Sequence, residues 1–101
     1  MATADITILG LRTGPDSHAS EYIAEIQKRL AAQSKVTYKL HGMGTSLEGS
    51  ADDIFALAAE LHKVPFELGI PRVYTVLKLD EPSDKPDQTL ADKVASVNDR
   101  L

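Results

Sequence analysis

The stretch His41-Gly42-Met43-Gly44-Thr45-Ser46-Leu47-Glu48-Gly49 sets three glycines among two hydroxyls, a histidine and a carboxylate. The β-prone run Val36 to Leu40 leads into it. Glycine allows φ > 0 or a close backbone approach, so the stretch reads as a tight hairpin. Its return strand, Thr45 to Gly49, carries polar side chains at alternate positions. That reading decides the fold, because a β-turn-β unit mid-chain leaves a strand and a helix on either side of it.

The register of the hairpin decides what it displays, since a one-residue slip exchanges the two faces. With Met43-Gly44 as a two-residue loop, Leu47 lies opposite Leu40, Ser46 opposite His41 and Glu48 opposite Lys39. Leu47 then joins Tyr38 and Leu40 on an apolar face, while His41, Ser46, Lys39 and Glu48 share the other. A three-residue loop would set Glu48 beside Tyr38. The first register is preferred because it keeps the apolar residues together.

Before the hairpin, Asp5 to Leu11 (Ile6, Thr7, Ile8, Leu9) reads as a strand and Arg12 to Asp16 as a turn. Asp16 or Ser17 offers an N-cap oxygen to a helix over about residues 18–33, whose apolar stripe is Ala19, Tyr22, Ile23, Ile26 and Leu30. After the hairpin, Ser50-Ala51-Asp52-Asp53 resembles a capping box. Behind it Ile54, Leu57, Ala58, Leu61 and Val64 mark a second helix. Pro65 predicts a kink or break, and Gly69 suits the C′ position of a last turn. Arg72 to Asp80 is the fourth strand and Glu81 to Gln88 an exposed loop. Thr89-Leu90-Ala91-Asp92 caps a final helix with Leu90, Val94, Val97 and Leu101 on one side.

The order β-α-β-β-α-β plus a C-terminal helix predicts an α+β, ferredoxin-like fold in one domain, residues 1–101. Two helices cover one face of a four-stranded antiparallel sheet, and only the last helix is left for the other. The first and fourth strands carry apolar residues on both faces (Ile6 and Ile8 against Leu9 and Leu11; Val73 and Leu77 against Tyr74 and Val76), so a second apolar surface needs cover. A homo-oligomer is expected.

Composition narrows the function. With 15 acidic and 11 basic residues the net charge is −4, and no Lys/Arg run forms a patch. Nucleic acid and anionic membrane are therefore not expected as partners. The absence of cysteine excludes disulfides, thiolate metal sites and a cysteine nucleophile. The beginning Met1-Ala2-Thr3-Ala4-Asp5 is not signal-like, and no segment approaches the roughly 20 apolar residues that span a bilayer. A cytoplasmic protein is expected. The histidines His18, His41 and His62 lie in separate elements without an i, i+4 pair, so ordinary surface histidines are favoured over a metal site. No cofactor is expected. The glycines lack the Gly-Lys-Ser/Thr ending of a phosphate loop. Acylphosphatase chemistry would pair arginine with asparagine, but the single asparagine, Asn98, lies in the final helix. No nucleophile-elbow pattern supports a serine hydrolase. Glu48 is the most informative residue. The plain reading is a solvated strand glutamate paired with Lys39, and the functional one is a carboxylate for a cationic or amidine-like ligand.

Gly44-Thr45-Ser46-Leu47-Glu48-Gly49 resembles the Gly-Thr-x-x-Glu-Gly signature of the small thiamine-binding proteins of about 100 residues. Gly69 to Thr75 and Leu77-Lys78-Leu79-Asp80 look like that family's Gly-x-x-Arg-Val-x-Thr and Lys-(apolar)-Asp pattern. Leu90 to Val97 is similar to its Asp-Lys-Val-x-Ser-Val helix. The family often follows the fourth-strand Asp with arginines, whereas Glu81-Pro82-Ser83 follows Asp80 here, so a ligand contact from those arginines does not carry over. The resemblance implies dimers that pair into tetramers and non-enzymatic binding of thiamine or its hydroxymethylpyrimidine moiety. On matched positions it points to Thr45 and Glu48 for polar ligand contacts, with Ser46, His41, Tyr38 and Thr75 as further candidates. Arg72 and Asp80 also suit an ion pair or strand-end hydrogen bonds. A cationic ligand suits Glu48 better than a phosphorylated one. The alternative is a structural or regulatory oligomer that uses its open sheet face for association alone. An enzyme acting on the pyrimidine, with His41 or Glu48 as base, ranks third.

Overall fold

The computed structural model describes residues 1–12 and 19–101. Its elements are β1 (Ala2–Leu11), α1 (Ala19–Ala31), β2 (Thr37–His41), β3 (Gly44–Gly49), α2 (Ala51–His62), α3 (Val64–Glu67), β4 (Arg72–Asp80) and α4 (Leu90–Asn98). The strands form one antiparallel sheet in the order β2-β3-β1-β4, the ferredoxin-like arrangement predicted from the element order. The expected N-cap of α1, Asp16 or Ser17, and the histidine His18 lie outside the described residues.

Strand alternation sorts the sheet into two faces. Ala2, Ala4, Ile6 and Ile8 of β1 and Leu47 of β3 are buried beneath α1 and α2. The helices answer with Tyr22, Ile26 and Leu30 from α1 and Ile54, Leu57, Ala58 and Leu61 from α2. Leu30, Leu47, Ile54 and Leu61 are among the largest fully buried side chains, and truncating any of them to alanine costs about 2–5 kcal/mol. Tyr22 is buried with its polar end satisfied, since its hydroxyl accepts the Gly10 N–H at 3.0 Å.

Pro65 acts as expected. It cannot donate within a continuous helix, so α2 ends at His62 and Pro65 becomes the second residue of the short α3. Gly69 follows at φ +84°. Its N–H donates to the Phe66 carbonyl and the Ile70 N–H to the Pro65 carbonyl, each at 3.0 Å. These are the two bonds of a Schellman stop.

The hairpin corrects the preferred register. Its loop is Gly42-Met43, with His41 opposite Gly44, and the pairs are Leu40 with Thr45, Lys39 with Ser46, Tyr38 with Leu47 and Thr37 with Glu48. Leu47 does not face Leu40, nor Glu48 Lys39. The turn is fixed from both sides: the Met43 N–H donates to His41 Nδ1 at 3.2 Å, and the Thr7 hydroxyl donates to the Met43 carbonyl at 2.9 Å. Because every partner moves by two residues, the division into faces survives although the pairs change.

Gly44 is therefore a strand residue pressed against β1. A Cβ there would lie 2.7 Å from the Ile6 carbonyl oxygen and 2.8 Å from Thr7 Oγ1, whereas one at Gly42 would meet open space. Gly44→Ala is expected to lower stability by about 1–3 kcal/mol, and Gly42→Ala to stay within about 0.5 kcal/mol of the parent. Urea unfolding of both variants checks this, and equal midpoints would contradict the close approach.

Candidate functional site

The helix-free face of the sheet is ordered into cross-strand rows. Thr37, Glu48, Thr3 and Asp80 form one row across all four strands, and Lys39, Ser46, Asp5 and Lys78 form the next. Carboxylates, hydroxyls and lysines thus gather at one end of the face. At the other end Leu9 pairs with Tyr74 and Thr7 with Val76. There Leu9 is 43% exposed and Tyr74 53%.

Helix α4 lies across the polar end. Thr89 caps it in a reciprocal box: its hydroxyl accepts the Asp92 N–H at 3.0 Å, and the Asp92 carboxylate accepts the Thr89 N–H at 2.9 Å. Two further contacts fasten the helix to the sheet. The Leu90 N–H donates to Glu48 Oε2 at 3.1 Å, so Glu48 compensates the positive end of the helix dipole. Lys93 Nζ donates to Thr3 Oγ1 and Asp80 Oδ2, both at 2.7 Å. Glu48 therefore pairs with the amide of Leu90, not with Lys39. Asp80 is ion-paired with Lys93 of α4, and Arg72 stands at the opposite end of β4, so the two do not pair with each other.

Clefts flank the N-terminal half of α4 on both sides. One of about 340 Å³ is lined by Thr37, Tyr38, Lys39, Ser46, Glu48 and, from the helix, Leu90, Ala91 and Val94. The other, of about 300 Å³, lies among Thr3, Asp5, Ser46, Lys78, Asp80 and Lys93. The first offers a half-buried carboxylate, a hydroxyl and an ammonium beside an aliphatic wall, a set able to hold a small polar heterocycle through directed hydrogen bonds.

The residues singled out from the sequence divide between the two faces. Glu48 and Ser46 face the cleft at α4, whereas Tyr38, paired with Leu47, belongs to the helix-side face and only borders that cleft at the edge strand β2. Thr45 is buried on the helix side, where its hydroxyl accepts from Gln27 Nε2 at 3.2 Å. With Ile6, Ile8, Tyr22 and Ile26 it lines an apolar cavity of about 260 Å³ that His41 also borders. His41 Nδ1 accepts the Met43 N–H, so Nε2 carries the proton and donates to Asp5 Oδ1 at 2.6 Å. Thr75 lies elsewhere, 2.6 Å from His62 Nδ1. No group of three or more potential metal ligands occurs among the described residues. Thr3, Lys93 and the Leu90 amide, which fasten α4 to the sheet, carry no signal of that role in the sequence pattern. Lys93 was visible within the Asp-Lys-Val resemblance, but a backbone amide leaves no trace in a sequence.

Residues 4–98 match the family model described as thiamine-binding protein. The chain belongs to that family. The UPF0045 protein YqgV of Bacillus subtilis is 40% identical over 104 residues, an alignment covering 100% of this chain and 98% of the relative. A UPF0045 protein of Methanothermobacter thermautotrophicus is 36% identical and is covered along its full length. Among solved structures of similar fold, a hypothetical protein from Methanocaldococcus jannascii aligns with TM-score 0.82 and 27% identity, over 96% of this chain and 95% of its own. A protein of Thermotoga maritima provisionally named a thiamine biosynthesis/salvage protein aligns with TM-score 0.75 and 20% identity, over 95% of this chain and 97% of its own. The Gly-Thr-x-x-Glu-Gly signature of this thiamine-binding family thus falls on β3, with Glu48 at the α4 cleft and Thr45 behind the sheet.

The Thr89 N–H, and then the Thr89 hydroxyl, hold the Asp92 carboxyl below its ordinary value of 3.8. A carboxyl lowered on folding stabilises fully above its unfolded value and loses that contribution as pH falls through the folded one. The amides of α4 are therefore expected to exchange faster as pH is lowered past 3.8, after correction for intrinsic exchange. In Asp92→Asn that added pH dependence should vanish. Exchange followed by NMR checks this, and an identical profile in the variant would count against the cap.

Proposed function

We propose that the protein is a soluble, cytoplasmic, non-enzymatic binder of thiamine or its hydroxymethylpyrimidine moiety. The observation that carries this reading is Glu48, a carboxylate of the family signature that borders the cleft at α4. An aminopyrimidine presents adjacent N–H donor and ring-nitrogen positions, and its cationic forms favour a carboxylate over a neutral acceptor. Ser46 stands on the same cleft and is assigned to the ligand with it, and Tyr38 borders the cleft from the edge strand. Thr45, His41 and Thr75 act from a distance through packing and turn geometry. The name of the family and the provisional name of the Thermotoga maritima neighbour support the ligand class. The whole chain is taken as one ligand-binding domain.

The apolar end of the open face supports self-association as well. Leu9, Leu11, Tyr74 and Val76 form a contiguous exposed surface, and a second copy of the chain covers it in this proposal. Association serves ligand binding; an oligomer without a ligand is the competing reading.

Calorimetry with thiamine, thiamine phosphate and hydroxymethylpyrimidine, on protein unfolded and refolded to strip carried ligand, tests both. Micromolar or tighter binding of one compound is expected. Glu48→Ala should weaken it by about 1.5–3 kcal/mol, roughly 10- to 150-fold. Full affinity in Glu48→Ala would remove this residue from the site, and no heat with any compound would leave the oligomer reading. For association, Tyr74→Asp should shift the sedimenting species toward monomer, and an unchanged mass would overturn that surface.

A further inference from the structure

Helix α4 is attached to the molecule almost without burial. None of its residues is buried, Val94 and Val97 are each 59% exposed, and Leu101 just beyond it is 96% exposed. Nine residues make a helix too short to persist in water on its own, even with a good cap. Its position depends on polar contacts: the Leu90 amide on Glu48, the Lys93 ammonium on Thr3 and Asp80, and, in the preceding loop, the Met1 ammonium on the Pro86 carbonyl at 2.7 Å. The segment 81–89 that joins it to β4 contains no helix or strand, so the tether permits displacement.

One of these few attachments uses the carboxylate that the proposed function gives to the ligand. An amidine-like edge pairs best with a carboxylate when it engages both oxygens in the plane of the group. Glu48 Oε2 accepts the Leu90 N–H in one of its lone-pair positions, and Leu90 and Ala91 stand at the cleft through which a ligand reaches that oxygen. We propose that α4 is a strap seated on Glu48, which the ligand displaces by competing with the Leu90 amide for that carboxylate. This inference rests on the ligand-binding reading above. It makes strap and ligand antagonists, and the coupling is reciprocal: whatever frees Glu48 from α4 tightens binding, and binding frees α4 by the same factor.

The fold supplies a substitution that isolates the amide. Leu90 is the first residue of α4, the position where proline is best tolerated in a helix. The residue before it, Thr89, has φ −98° and ψ 169°, the extended conformation that proline requires of its predecessor. Leu90→Pro deletes the N–H donor, while Leu90→Ala removes the side chain and keeps the donor. Thiamine and hydroxymethylpyrimidine are the probes, with calorimetry for affinity and hydrogen exchange for the state of residues 90–101.

The strap predicts that Leu90→Pro binds about tenfold more tightly than Leu90→Ala, the value of one hydrogen bond to a charged group. In the parent protein the ligand should accelerate exchange in α4 and leave the sheet unchanged. Lys93→Met, which releases the other fastening, should also tighten binding, and it stands in for Leu90→Pro if that variant does not fold. Slower exchange in α4 on binding, or equal or weaker affinity in Leu90→Pro, would overturn the strap and leave the binding function standing, with α4 as a wall of the site. No binding by the parent or by either release variant would overturn the proposed function and the strap together.

Discussion

Burial of Leu47 on the central strand β3 sets the parity of everything around it. Strand residues alternate between faces, so placing Leu47 against the helices sends Ser46 and Glu48 to the opposite side, and places Thr45 in the core with Leu47. Neighbouring strands inherit this parity through the register. Thr3, Asp5, Lys39 and Lys78 come to the open face because their partners on β3 or β1 do. A slip of one residue would put Glu48 into an apolar core, at a cost far above what any single contact on the open face returns.

Much of this was legible in the sequence. The element order gave the topology, Pro65 and Gly69 marked the end of the second helical segment, and the alternation of Leu47 with Ser46 and Glu48 predicted the two faces. The register was misjudged for a definite reason. Apolar clustering specifies which face a residue occupies, and a two-residue shift leaves every face intact, so hydrophobic pattern could not choose between loops at Gly42-Met43 and Met43-Gly44. The choice depends on the Thr7 hydroxyl reaching the turn and on the tight approach of Gly44 to Ile6. Both are long-range facts.

The candidate site was legible only in part. Glu48 and Ser46 were identified together and stand together, whereas Thr45, adjacent in the same signature, lies behind the sheet. A motif read as a line of characters treats its positions as neighbours, but a strand separates odd from even. The partner of Glu48 was beyond reach because it is a main-chain amide 42 residues away. Lys39, the expected partner, is paired by the register with Ser46 instead.

The weak burial of α4 bears on the cooperativity of the whole chain. Strands β1 and β3 and helices α1, α2 and α3 share one continuous set of buried side chains, with Val73, Leu77 and Leu79 of β4 packed against it, and such a set opens as a unit near the global unfolding free energy. The last helix contributes nothing to that set. Its local opening free energy is set by a handful of surface-type hydrogen bonds, so the molecule holds two levels of stability within one topology. Heat or mild denaturant will melt the final helix as a separate, shallow step before the sheet is disturbed. A spectroscopic probe at the C-terminus will then report an apparent midpoint below that of the core.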